Sequence, residues 1–503
     1  MSESLPSRPS LENLQKQAKG LLKSFRAGDT VALARVKKSH PGWARQRSAG
    51  GEPSKKLLLT DAQLVLAREH GFPSWKALRD HVAAATAAAA PEEAKAQFHE
   101  AFQADDVRRV RVLLKRYPVP GSMLNTLVSG VRSGAMLDAL LDVGADIDAK
   151  SDWWAGGFGV LHQANPEVAK HAIARGARVD IHAAARLGLL DRVREWVALD
   201  PALVRAPGGD GQTPLHFAAT AEIADYLLDQ GADIDALDVD HESTPAQYMT
   251  KERQAVARRL VERGCRTDLL MLTALGDLER VRALLDRDPG SIHLRVSDEF
   301  FPMIGGKTGG SIYQWTLGWY VSPLDVAKQF KHDDVHSLLW ERSPADVRFL
   351  QACWEGDAVT ARAAAQSGGI VPGKLSKPVR RHLAHAARNN NLEAVRTMLE
   401  LGFSLDGTSQ HGATALHWAA FHGNAAMVKL LLRHDPPLEV KDVDFGGEPS
   451  GWAVHGSHSS WFRQSGDYRA VVELLIEAGA EVRADPRASP EVLAALRKHG
   501  KAG

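Results

Sequence analysis

The segment 412–444, GATALHWAAFHGNAAMVKLLLRHDPPLEVKDVD, constrains the fold more than any other part of the chain. Its first half predicts a short helix with two adjacent alanines, ended by Gly423, a residue suited to positive φ. Its second half predicts a second, amphipathic helix, whose apolar stripe is formed by Met427, Val428, Leu430, Leu431 and Leu432. A helix pair of this size cannot bury its apolar face alone, so the segment predicts stacked neighbours.

Related units recur along much of the chain. Two of them open almost identically, with TPLHFAA at 213–219 and TALHWAA at 414–420. These motifs resemble the ankyrin repeat, whose usual opening is T-P-L-H-x-A-A-x-x-G in a unit of about 33 residues. The N-terminal LPSRPSLENLQKQAK and the segments DVDHESTPAQYM and GGSIYQWTLG also resemble parts of large stand-alone bacterial ankyrin-repeat proteins. The resemblance implies stacked helix pairs whose finger loops and inner helices form a concave binding surface, usually without catalysis.

We therefore predict an all-α fold, an ankyrin-repeat solenoid of about eleven or twelve helix-turn-helix units with finger loops. A basic helical N-terminal domain is predicted at 1–82, followed by an alanine-rich linker at 83–91. The solenoid is predicted at 92–486, with a C-terminal capping helix at 487–503. The excess of Lys and Arg in 1–82 is typical of a solvated helical face, because no nucleic-acid-binding motif accompanies it.

Composition narrows the function classes. The 503 residues carry a formal net charge of +1, so no overall field draws the chain to nucleic acid. Only Cys265 and Cys353 occur, which indicates a reducing compartment without a disulfide framework. The N-terminus lacks the apolar core of a signal peptide, and no apolar run is long enough to span a membrane. We predict a cytoplasmic protein that contacts no membrane and needs no cofactor.

Three aromatic-rich stretches interrupt the repeats and are predicted to be insertions. They cover 151–162, 295–321 and 444–467, and together they hold half of the chain's twelve tryptophans. If each leaves the solenoid on the finger side, the three insertions converge on one groove. The polar finger residues Asp240, His241 and Glu242 would face the same groove.

Carboxylates, imidazoles and indoles around one cleft would suit either recognition of a polar, ring-bearing ligand or acid–base chemistry on it. A purely structural reading is the alternative, in which finger aspartates bond their own turns and tryptophans seal gaps between repeats. The predicted ligand-binding residues are aromatic, acidic or histidine side chains: Trp153, Trp154, Asp240, His241, Glu242, Asp298, Glu299, Tyr313, Trp315, Trp319, His411, Trp418, Asp444, Trp452, His455, His458 and Trp461.

Two classes of function follow. The first is a binding protein that recognises a protein or peptide partner on its concave face. The second is a small-molecule-binding protein or an acid–base hydrolase, lyase or isomerase. In an enzyme, the catalytic candidates are the acids or bases Glu242, Asp298 and Glu299 with His241 or His455 as partner. No metal site is predicted, because the pair His455 and His458 has no third ligand beside it. The sequence leaves catalysis and oligomeric state open.

Overall fold

The computed structural model describes residues 11–41, 57–88, 92–117, 119, 121–306, 308–371 and 373–500. Parts of the predicted N-terminal domain (1–10 and 42–56), linker (89–91) and C-terminal segment (501–503) lie outside these residues. The chain divides into two compact units, the first unit Met1–Pro245 and the second unit Ala246–Gly503.

Among its described residues, the first unit begins with the helices Leu11–Arg26, Thr30–Ser39, Leu59–Glu69 and Trp75–Ala88. Local sequence explains their limits, because the Asp29 carboxylate accepts the backbone N–H groups that open the second helix. Their buried side chains form two small apolar cores of leucine, alanine and valine. The helix Trp75–Ala88 continues into the predicted alanine-rich linker, since alanine is the best helix former.

Helix pairs follow in the first unit, each built from two short antiparallel helices in contact. The pairs are Glu92–Gln103 with Val107–Arg116, Gly121–Val128 with Gly134–Leu141, Val160–Gln163 with Pro166–Ala174, Ile181–Arg186 with Leu190–Leu199, and Pro214–Phe217 with Ala221–Asp229. The helix Pro245–Met249, at which the division into units falls, is followed by Gln254–Glu262.

The second unit continues with the same architecture. Its helix pairs are Leu269–Ala274 with Leu278–Arg287, Pro323–Phe330 with Asp333–Arg342, Ala345–Trp354 with Ala358–Ser367, Lys377–Arg388 with Leu392–Glu400, Ala415–Phe421 with Ala425–Leu432, and Pro449–Ser459 with Tyr468–Glu477. The helix Pro490–Lys498 packs against the last pair at the C-terminal end. Short 3₁₀ turns lie at Pro201–Arg205, Gly209–Gly211, Pro289–His293 and Gln410–Gly412, and a four-residue helix at Tyr313–Thr316.

In two repeats, the histidine of the repeat motif hydrogen-bonds both the start of its own helix and the finger that follows. His417 Nδ1 lies 3.2 Å from the Thr414 backbone nitrogen and 2.8 Å from its hydroxyl, and Nε2 donates to the Gly447 carbonyl at 3.1 Å. His216 makes the equivalent contacts with Thr213 and with the Ser243 carbonyl. In the described part of the chain no β-strand forms, apart from an isolated bridge between Thr408 and Thr414. The predicted all-α ankyrin-repeat solenoid is confirmed.

The predicted insertions differ in form. The first ends in the helix Val160–Gln163. In the second, the two ends run side by side, because the backbone N–H of Val296 donates to Val321 and that of Tyr320 to Val296. The third contains the 11-residue helix Pro449–Ser459, which forms the first helix of a repeat. Only the segments before and after that helix are loops.

Candidate functional sites

The first insertion lies against two fingers of the first unit. The Asp210 N–H donates to the Gly156 carbonyl at 3.0 Å, and the Val239 N–H donates to the Asp210 carbonyl at 2.7 Å. The Trp153 side chain is hydrogen-bonded to the Asp210 carboxylate. This arrangement brings the predicted residues Trp153, Trp154, Asp240, His241 and Glu242 into one region, with both indoles partly exposed.

Three side chains in this region form a compact polar group, the acidic finger site: Asp210, Asp240 and His241. One ligand atom from each lies within 4.8 Å of the others. Burial and the neighbouring Asp240 charge raise the pKa of Asp210 to about 6. Asp238, by contrast, is a turn residue, because its two oxygens accept the backbone N–H groups of His241 and Ser243.

A second site lies in the second unit, where Arg388 is flanked by three indoles. We call this site the arginine–tryptophan cluster, and it consists of Arg388, Trp319, Trp418 and Trp461. The guanidinium carbon lies 3.9 Å from the Trp319 ring centre, 5.2 Å from that of Trp418 and 5.8 Å from that of Trp461. Trp319 comes from the second predicted insertion and Trp461 from the third. These two insertions therefore meet around the repeat unit at 412–444.

The charge of Arg388 is only weakly compensated. Its Nε atom donates to Gln410 Oε1 at 3.1 Å, and among the described residues no ion pair reaches the guanidinium. Burial lowers its pKa to about 9, partly offset by the nearby Asp298. A desolvated guanidinium without a carboxylate partner is suited to receive one from a ligand.

Further predicted residues extend this cluster. Trp418 is buried and donates from Nε1 to Ser409 Oγ at 2.7 Å, and Trp452 donates to Asp442 Oδ2 at 2.9 Å. His411 Nδ1 lies 2.7 Å from Asp444 Oδ2, at the exposed edge of the finger. The aromatic surface continues onto exposed Phe445, whose ring centre lies 5.1 Å from that of His411.

Two buried histidines form hydrogen bonds with residues of the arginine–tryptophan cluster. His385 Nδ1 accepts the Trp319 indole N–H at 3.1 Å, and its ring stacks on Tyr320 with centres 3.6 Å apart. His422 Nε2 donates to the Arg388 carbonyl at 2.8 Å. Burial lowers the pKa of both rings, that of His422 to about 4, so both imidazoles are neutral at pH 7.

The other predicted site residues of the second insertion have partners outside the arginine–tryptophan cluster. Asp298 accepts a hydrogen bond from Gln314 Nε2 at 2.8 Å, and Glu299 pairs with Arg381 at 3.0 Å. Tyr313 is fully buried and donates to Asp268 at 2.8 Å, which gives it a place in the core. The Trp315 indole is exposed and donates to the Gly309 carbonyl at 3.2 Å.

A cavity of 420 Å³ lies beside Gln410, the hydrogen-bond partner of Arg388. Its other lining residues belong to the second predicted insertion: Asp298, Pro302, Met303, Thr308, Gly309, Gly310 and Gln314. The cavity is therefore next to the arginine–tryptophan cluster and is large enough for a side chain or small polar group.

The histidines of the third predicted insertion contact each other. The ring centres of His455 and His458 are 4.9 Å apart, and Ser459 lies 2.8 Å from His458 Nδ1. His455 stacks on Phe421, with ring centres 6.2 Å apart. Burial lowers the pKa of His458. The candidate acids Asp298 and Glu299 are instead paired with Gln314 and Arg381.

Two residues of the candidate sites are not among those predicted from the sequence. Asp210 precedes Thr213 in the same position that His411 takes before Thr414 in the second unit. Alignment of DVDHES at 238–243 with DVDFGG at 442–447 would have drawn attention to it. Arg388 was not selected because it ends an ordinary amphipathic helix and its tryptophan neighbours are distant in sequence.

Comparison with known families agrees with the fold. The family model described as ankyrin repeats (3 copies) matches residues 326–444, and the single ankyrin-repeat model matches residues 210–239. The Ankyrin repeat and LEM domain-containing protein 1 homolog of Caenorhabditis elegans is 41% identical over 51 residues. That alignment covers 10% of this chain and 7% of the relative, so the chain matches only a small part of it.

The chain contains ankyrin repeats at 210–239 and 326–444. Ankyrin repeats are generally protein–protein interaction modules. The matched stretches include Asp210 of the acidic finger site, and Arg388 and Trp418 of the arginine–tryptophan cluster. None of the described helices combines the length and apolar character needed to cross a bilayer.

Proposed function

We propose that this protein binds a protein partner through the fingers and inner helices of the second unit, with the arginine–tryptophan cluster as the main contact. The observation that carries the proposal is the placement of Arg388 between three indoles, with no carboxylate paired to it in the described part of the chain. The recognised segment would be a peptide with an acidic residue beside an apolar or aromatic one.

The chemistry of the cluster supports this type of segment. A carboxylate could accept two parallel hydrogen bonds from the guanidinium, and partial burial would strengthen them. The neighbouring Trp461, Phe445 and Val443 side chains are exposed and could cover an apolar residue of the partner. Tryptophan and arginine are also the side chains that contribute most often to interface hot spots.

Peptide selection with the intact chain tests the proposal. Immobilised full-length protein would be panned against a random peptide library, and the affinities of the recovered peptides measured by fluorescence anisotropy. We expect an enrichment of Asp or Glu beside apolar residues. Replacing the acid by its amide should weaken binding by about tenfold or more, since a charged hydrogen bond is lost.

Two exposed tryptophans provide a matched pair of variants. Trp461 is 65% exposed within the cluster, and Trp315 is 70% exposed outside it. Trp461→Ala and Arg388→Gln should each reduce peptide affinity by about thirtyfold, the size of a hot-spot loss. Trp315→Ala should leave it unchanged. Peptides that bind Trp461→Ala and Arg388→Gln as tightly as the wild type, or a library that yields no binder, would contradict the proposal.

A further inference from the structure

Two fingers, one in each unit, share the same local structure. Asp210 and His411 both adopt positive φ, 54° and 64°. Each carbonyl accepts the N–H of a valine in the following finger, Val239 at 2.7 Å and Val443 at 2.8 Å. The two fingers can therefore be compared position by position.

The side chains at the facing positions differ in charge. In the second unit, His411 faces Asp444 and the two are 2.7 Å apart, a pair of complementary groups. In the first unit, Asp210 and Asp240 occupy the corresponding positions, and His241 lies beside them. Two carboxylates held close together repel each other unless a cation or a proton lies between them.

The Asp240 carboxylate is removed from water without a full set of hydrogen bonds in exchange. The residue is 5% exposed, and its Oδ1 atom has no hydrogen-bond partner among the residues that the structure describes. Its other oxygen, Oδ2, lies 3.8 Å from His241 Nε2. A buried carboxylate oxygen without a partner is costly, so this atom points to a missing cationic ligand.

We propose that the acidic finger site binds one divalent transition-metal cation, Zn²⁺ or Mn²⁺, through Asp210, Asp240 and His241. Two carboxylates and an imidazole suit these ions, whereas Mg²⁺ and Ca²⁺ prefer all-oxygen sites. Ligand atoms around one tetrahedral Zn²⁺ lie roughly 3.3 Å apart, since each bond is about 2.0 Å long. The three ligand atoms, which now lie within 4.8 Å of one another, would therefore close around the ion by side-chain rotation.

The surroundings suit a metal with an open position. The Trp153 indole is hydrogen-bonded to Asp210 and would hold that carboxylate in place, as outer-shell groups do in metal sites. Three protein ligands leave at least one coordination position for water or a ligand group. The partly exposed indoles of Trp153 and Trp154 would stand at the entrance.

Calorimetric titration of the EDTA-treated, dialysed full-length protein with ZnCl₂ and MnCl₂ tests this proposal. We expect one ion per chain for at least one of these metals, with MgCl₂ binding much more weakly. Asp240→Asn should weaken the binding by about a hundredfold or more, since losing even an outer-shell partner of a metal costs about 10–100-fold in affinity. If circular dichroism shows that Asp240→Asn disturbs folding, Asp210→Asn removes a different metal ligand at a less buried position.

Two controls locate the ion. Asp444→Asn changes the equivalent aspartate of the other finger, and His455→Ala removes the separate histidine pair with His458. Both variants should bind the metal like the wild type. Absence of one-to-one Zn²⁺ or Mn²⁺ binding, or wild-type binding by both Asp240→Asn and Asp210→Asn, would overturn the proposal and leave a shared proton as the explanation. Loss of binding in His455→Ala would also overturn it. The result is independent of peptide binding by the second unit.

Discussion

At the scale of single residues, His422 is a buried contact of the arginine–tryptophan cluster whose protonation should affect the folding stability of the protein. It is almost fully buried, donates from Nε2 to the Arg388 carbonyl, and leaves Nδ1 buried without a partner among the described residues. This environment holds the neutral imidazole and penalises the charged one, which is why its pKa falls to about 4.

Acid should therefore destabilise the protein through His422. An unfolded histidine titrates near pH 6.5, so the unfolded state takes up the proton first as the pH falls from 6.5 towards 4. His422→Gln can still donate to the Arg388 carbonyl but does not titrate. We expect this variant to lose about 2 kcal/mol less stability between pH 7 and pH 5 than the wild type, measured by urea unfolding.

The exposed His434 provides the control for this pH effect. His434→Gln removes a histidine from the surface of the same unit and should keep the wild-type pH dependence. If His422→Gln shows the same loss between pH 7 and pH 5 as the wild type, the buried imidazole is not the group that responds to acid.

At the scale of elements, the finger that precedes the helix Ala415–Phe421 depends on close contact with the following finger. Gly412 has a φ of +68°, and a Cβ atom there would lie 2.4 Å from Val443 Cγ2. The valine cannot move freely, because its N–H donates to the His411 carbonyl. Any larger residue at 412 would therefore strain the backbone and also push Val443 away from this finger.

Gly412→Ala separates these two effects when compared with Gly479→Ala. Gly479 also has positive φ, +99°, but no atom lies within 4 Å of the position of a Cβ. We expect Gly479→Ala to cost about 1 kcal/mol of stability from backbone strain alone. Gly412→Ala should cost about 1–3 kcal/mol more because of the clash. Equal losses in urea unfolding would mean that the finger contact is not tight.

The helix pairs could be predicted because their signals are local. Asp, Asn and Ser caps, apolar periodicity and the Thr–His contact all lie within one repeat, as at Thr414 and His417. Pro449–Ser459 carries a weak apolar pattern, with several Gly, Ser and His residues, so the same stretch also resembled an insertion. There the neighbouring repeats impose the helix.

The sites could be predicted only in part, because they depend on contacts between distant segments. The aromatic-rich insertions predicted Trp319 and Trp461 as site residues, and both rings lie near the Arg388 guanidinium. Sequence gave no sign that Tyr313 would be buried against Asp268. Nor did it show that Asp210 faces Asp240, since an aspartate in a finger is normally a turn residue.

At the scale of the whole molecule, a solenoid transmits stability mainly between neighbouring repeats. The helix Ala415–Phe421 contacts Lys377–Arg388 on one side and Pro449–Ser459 on the other. Its side chain Leu416 is 2% exposed in the core of the second unit. The energetic effect of a change at Leu416 should therefore be largest in these helices and small at a distance.

Leu416→Ala tests this expectation by stability and by hydrogen exchange together. The cavity should lower the free energy of unfolding of the second unit by about 2–5 kcal/mol. Amide exchange should accelerate in Lys377–Arg388 and Pro449–Ser459, while Leu11–Arg26 in the first unit keeps its wild-type protection. Val359→Ala, at a position 78% exposed on another helix of the second unit, should change stability by less than about 0.5 kcal/mol. Faster exchange of equal size in Leu11–Arg26 would show that the chain opens as one cooperative body, and the division into two units would then not describe its energetics.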